Sequence, residues 1–145
     1  MKRVLVLLLV ASTAQANVWQ RAIDRGSPDP AQDVYDSEMK TGDDMAEQAT
    51  AKGLSFKAVR ILVEHAVMSY RNAANAKPNA GEPYYRIGRV LYSFYFDCDS
   101  SVSTSNASLL CMRDIALFDR KHAQEIIDAW DAFEARAPLD PRFTA

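Results

Sequence analysis

The 145-residue sequence predicts an all-α fold built from antiparallel helical hairpins. Three observations carry that prediction. Val59, Leu62, Val63, Ala66, Val67, Tyr70, Ala73 and Ala74 recur at intervals of three and four, the period of one face of a helix. Capping residues stand just ahead of such stretches: Asp29 before Pro30, and Ser55 before Phe56. Long alternating Val, Ile and Thr runs are missing and only five glycines are present, which argues against a sheet-rich fold.

The elements follow in order. Asn17 to Arg25 is a short amphipathic stretch with Val18, Trp19, Ala22 and Ile23, broken by Gly26-Ser27-Pro28. A helix opens at Asp29-Pro30 and runs to about Lys40, with Gly42 expected to end it. Asp43 or Asp44 is expected to cap a second short helix, Met45 to Lys52, closed by Gly53. Ser55 caps a longer helix from Phe56 to about Ala76, and Pro78 and Gly81 mark the break after it. Pro83 opens a helix reaching about Phe96, whose apolar face includes Tyr84, Ile87, Gly88 and Leu91. Asp97 to Leu110 reads as a loop rich in Ser, Thr and Asn. A last helix runs from about Arg113 to Ala135 and ends before Pro138 and Pro141. Short connections make neighbouring helices antiparallel.

The first sixteen residues stand apart. Lys2 and Arg3 precede an apolar run from Val4 to Ala11, and Ala14-Gln15-Ala16 supplies small residues for a peptidase. This is the layout of a cleavable secretory signal, with the cut expected before Asn17. The run is too short to span a bilayer, which takes about 20 apolar residues. Export to the periplasm or the extracellular space is therefore expected. The expected division is residues 1–16 as signal, 17–42 as N-terminal helices, and 43–142 as a helical domain with an inserted loop at 97–112.

Hydrophobic residues make up 48% of the chain and the net charge is −2. Losing Lys2 and Arg3 would take that charge to −4. No cluster of Lys and Arg is present, so a nucleic-acid partner is not expected. Cys98 and Cys111 bound the polar loop, and an oxidising compartment favours a disulfide between them. Zinc sites usually place cysteines two to four residues apart, a spacing these two lack, so no metal and no cofactor are expected.

Helical hairpins direct attention to internal repeats. Ala66, Tyr70, Ala73 and Pro78 give a small residue, an aromatic, a small residue and a proline in sequence. Tyr84, Ile87-Gly88, Leu91 and Tyr92 then give an aromatic, an aliphatic–glycine pair and a tyrosine. The two halves resemble consecutive halves of the tetratricopeptide repeat, in register and without a gap. A weaker match ends the chain at Ala129, Phe133 and Pro141, with Arg136 where a small residue is expected. The resemblance implies a short solenoid in which Ala66, Tyr70, Ala73, Pro78, Tyr84, Ile87, Gly88 and Leu91 pack the hairpins together. It also implies a groove for a partner protein or peptide, with Tyr85, Arg89 and Tyr92 facing that partner. Tyr and Arg are residue types that often dominate binding energy.

The function expected is thus a non-catalytic protein–protein interaction scaffold of the cell envelope, with no catalytic residues. Two rivals stand beside it. One is a small exported hydrolase using His65 or His122. The other is a self-assembling structural piece, a homo-oligomer or a fragment of a longer repeat protein.

Overall fold

The computed structural model describes residues 18–51, 53–95 and 120–143, with Phe56 and Phe143 described by their backbone alone. The described residues are helical, with no strand among them. The helices are α1 (18–24), α2 (Pro30–Gln48), α3 (Phe56–Ala76), α4 (Glu82–Tyr95) and α5 (Arg120–Arg136). A 3-10 turn follows at Pro141–Phe143. The expected signal segment, the 97–112 loop with Cys98 and Cys111, and residues 113–119 of the last expected helix lie outside the described residues.

Local chemistry sets the helix starts. The Asp29 side chain accepts a hydrogen bond from the Gln32 backbone N–H at 3.0 Å, and Pro30 occupies the first turn, where its missing N–H costs nothing. Ser55 caps α3 in the same way through the Ala58 N–H at 3.2 Å. Gly26 and Gly53 turn the chain between helices at φ of 66° and 85°, values that side chains with a Cβ resist.

One expected break is absent. Gly42 does not end a helix, and Asp43 and Asp44 do not start one: α2 continues through all three to Gln48. The expected boundary between residues 42 and 43 therefore falls inside a helix. Gly42 is buried because the Tyr70 ring of α3 lies on it. A Cβ there would stand 2.5 Å from Tyr70 Cε1 and 2.7 Å from Cδ1. The glycine serves a close helix–helix approach, and its neighbours hold the helix on both sides. The end of α2 also comes earlier than Lys52, at Gln48 with Ala49 as its cap, and Gly53 belongs to the turn beyond.

Consecutive helices pack against each other: α2 on α3, α3 on α4, and α4 on α5. The core runs through them as one cluster. Val59, Val63, Ala66, Val67 and Tyr70 come from α3, Ile87, Val90, Leu91, Phe94 and Tyr95 from α4, and Ile126 and Ala129 from α5. The 3.6-residue period read in α3 thus coincides with its buried face. Among the described residues, no helix is long and apolar enough to cross a membrane.

Candidate protein-binding face

The residues expected to pack the repeats separate by burial. Ala66, Tyr70, Ala73, Ile87, Gly88 and Leu91 are buried, Tyr84 is half-buried, and Pro78 is exposed in the turn after α3. Arg136 of α5 reaches back to that turn. Its Nε donates to the Pro78 carbonyl at 2.7 Å, and its guanidinium lies 4.2 Å from the Tyr84 ring centre. The large residue at position 136 therefore has a task in the structure, bridging the exits of α3 and α5.

Gly88 repeats the arrangement at Gly42. A Cβ on Gly88 would come within 2.5 Å of Trp130 Cδ1. In each of the pairs α2–α3 and α4–α5, a glycine on the first helix admits an aromatic side chain from the second. The turns that follow match as well. Lys77 N–H donates to Ala73 O at 3.0 Å and Ala80 N–H to Lys77 O at 3.0 Å. Ala137 N–H donates to Phe133 O at 2.9 Å and Asp140 N–H to Ala137 O at 3.0 Å. Tyr70 and Trp130 thus stand in like surroundings, and Pro78 and Pro138 follow them at the same interval of eight residues.

A chain of charges ties α2, α3 and α4 together. Tyr70 Oη donates to Asp43 Oδ1 at 2.8 Å, and Arg86 Nη1 donates to the same oxygen at 3.0 Å. Arg86 Nε also donates to Glu82 Oε1 at 2.9 Å. Burial, reinforced by the Asp43 carboxylate, raises the Tyr70 phenol well above its ordinary pKa of 10. Beyond Glu82 the chain reaches the 3-10 turn: Arg142 Nη1 donates to Glu82 Oε2 at 2.8 Å and Nη2 to Asp140 Oδ2 at 2.7 Å. The Arg142 side chain and backbone hydrogen bonds lower the Asp140 carboxyl to about 2.

The three residues expected to meet a partner do not share one environment. Tyr85 is half-buried, its ring centre 5.3 Å from that of Phe133, with the Arg142 guanidinium 4.0 Å above it. Tyr92 is 44% exposed and lies 5.6 Å from the Trp130 ring. Arg89 is exposed. The structure adds two side chains of α5 to these exposed residues. Trp130 is 37% and Ile127 51% exposed, one helical turn apart on α5. Arg89, Tyr92, Ile127 and Trp130 therefore make a partly apolar face along α4 and α5. The helical spacing of Ile127 and Trp130 was visible in the sequence, but their exposure depends on which neighbours reach them.

The two histidines lie on different helices. His65 is exposed on α3, and His122 on α5 stacks on Tyr95 with ring centres 4.2 Å apart. Among the described residues, no group of three or more His, Cys, Asp or Glu side chains is arranged to hold a metal ion. No family model, curated protein or solved structure matches this chain.

Proposed function

We propose that this chain is a non-catalytic scaffold that binds another protein, built as a short solenoid of antiparallel helical hairpins like the tetratricopeptide repeat. Support for the architecture comes from the paired contacts. Gly42 meets Tyr70 while Asp29, near the start of α2, lies 3.7 Å from Lys77 at the end of α3. Gly81 meets Phe133, Gly88 meets Trp130, and Tyr95 meets His122, so positions climb α4 as they descend α5. That is the contact order of antiparallel neighbours.

The observation that carries the binding role is the exposed aromatic and aliphatic surface beside a cation: Tyr92, Trp130 and Ile127 with Arg89. Trp, Tyr and Arg are the side chains over-represented at binding hot spots, and clustered exposed apolar residues mark interaction surfaces. The signal-like first sixteen residues place the scaffold in the cell envelope or outside the cell. In that compartment Cys98 and Cys111 form a disulfide, and thiol titration of the exported, unreduced protein finds no free thiol. A positive titration refutes the bridge.

The test of the scaffold is affinity capture from an envelope extract of the source cells. Tagged parent protein is compared with an Arg89→Ala/Tyr92→Ala variant, both altered at exposed positions. A protein retained by the parent and lost by the variant supports the reading. Equal capture by both removes this face from the account. Hydrolytic activity that vanishes on His65→Ala or His122→Ala replaces the scaffold with an enzyme.

A further inference from the structure

Helix α4 already shows how a helix docks on one of these hairpins. It packs on α3 and α5, with Pro83, Ile87, Val90, Leu91 and Phe94 buried, and its Arg86 meets Asp43 of α2 at 3.0 Å. The residue that receives this charge directly follows Gly42, the glycine beneath Tyr70. The second hairpin has the same framework with the opposite charge. Gly88 lies beneath Trp130, and the residue directly following it is Arg89. The α4–α5 face carries exposed Tyr92, Ile127 and Trp130. Its other end is covered by Arg142, which stands over Tyr85 and Phe133 at 4.0 and 4.8 Å.

We infer that the open part of the α4–α5 face takes up an amphipathic helix of a partner protein, with an apolar stripe and a carboxylate set to meet Arg89. The inference rests on the scaffold reading and adds the partner's chemistry to it. Charge complementarity selects the occupant. A helix patterned like α4 would bring the cation of Arg86 against Arg89, and like charges brought together at an interface suppress the wrong partner. The same helix with an acid at that position meets an opposite charge. The apolar stripe is read at helical spacing, as in other helix-in-groove contacts.

Two 14-residue labelled peptides test this against the full chain: the α4 sequence Glu82–Tyr95, and the same sequence with Arg86→Glu. Fluorescence anisotropy reads the binding. The Arg86→Glu peptide binds the parent chain roughly tenfold more tightly than the unaltered peptide, the scale of one favourable against one unfavourable exposed charge pair. The order reverses on an Arg89→Glu chain, and Ile127→Glu weakens both peptides. Circular dichroism melts confirm that these surface variants remain folded. Equal binding of the two peptides, binding by neither, or binding that survives Ile127→Glu overturns the inference. Sedimentation that shows a dimer broken by Ile127→Glu assigns the face to a second copy and overturns it too. Peptide failure alongside capture that depends on Arg89 and Tyr92 sinks this inference while leaving the scaffold standing.

Discussion

At the scale of single residues, Gly42 and Gly88 make the most specific demands. Tyr70 is 2% exposed and tethered to Asp43, so a methyl group on Gly42 meets a ring that cannot move aside. Overpacking costs about 1–3 kcal/mol, while replacing a helical glycine returns about 1 kcal/mol of propensity. Gly42→Ala therefore lowers stability by about 1–2 kcal/mol in denaturant unfolding, the upper range applying because the ring is held. Gly88→Ala costs less, because Trp130 is 37% exposed and has room to swing. A stabilised Gly42→Ala protein contradicts the close approach. Asp140 gives a second prediction. Its carboxyl titrates at about 2 in the folded chain, below the ordinary 3.8, and Arg142→Gln brings it back towards that value by NMR titration. A depressed carboxylate stabilises the fold above its unfolded pKa. The Asp140 contribution is therefore complete above pH 3.8 and is lost as pH falls through about 2.

At the scale of elements, caps and periods were readable and close contacts were not. The Asp29 and Ser55 caps act on backbone groups three residues away, so short-range sequence contains the whole interaction. The limits of α3 follow from such signals. Gly42 was misread as a helix end because a glycine that breaks a helix and one that admits a neighbouring ring look alike locally. The difference lies in Tyr70, far along the chain. Trp130 raised the same difficulty, since its likeness to Tyr70 shows only through the glycines beneath them. Tyr70→Phe isolates the link between α2 and α3 while keeping the ring. It removes the 2.8 Å donor to Asp43 and costs about 1 kcal/mol, with Arg86 still satisfying the carboxylate. The raised phenol pKa sets a sign in alkali: its stabilising contribution is complete below pH 10 and is lost as pH climbs towards the higher folded value. Ultraviolet titrations of the folded parent and the folded Tyr70→Phe variant therefore coincide near pH 10, because the phenol that the substitution removes does not ionise there.

At the scale of the whole molecule, one packing scheme is used twice with different outcomes. The α2–α3 pair receives α4, and the charges of Asp43 and Arg86 meet across the contact. The second receives Arg142 at one end and leaves Tyr92, Ile127 and Trp130 exposed at the other. Sequence reading expected Tyr85, Arg89 and Tyr92 to face a partner, and the structure leaves Arg89 and Tyr92 exposed. It missed the cover on Tyr85, because Arg142 reaches that ring through the turn after α5, a contact between distant parts of the chain. Arg142→Ala uncovers Tyr85 and Phe133 and raises binding of an apolar dye, whereas Lys40→Ala, on an exposed pair with Asp44, leaves it unchanged. Unchanged dye binding in the Arg142 variant contradicts the cover.

The claim beneath all of these is that α2–α3 and α4–α5 repeat one contact. Proton NMR of the folded chain tests it directly. The account predicts that the α-protons of Gly42 and Gly88 both shift upfield under aromatic rings. Each also shows cross-relaxation, Gly42 to the Tyr70 ring and Gly88 to the Trp130 indole. Ordinary glycine shifts at position 88, without contact to the indole, would contradict the repeat and the docking face argued from it.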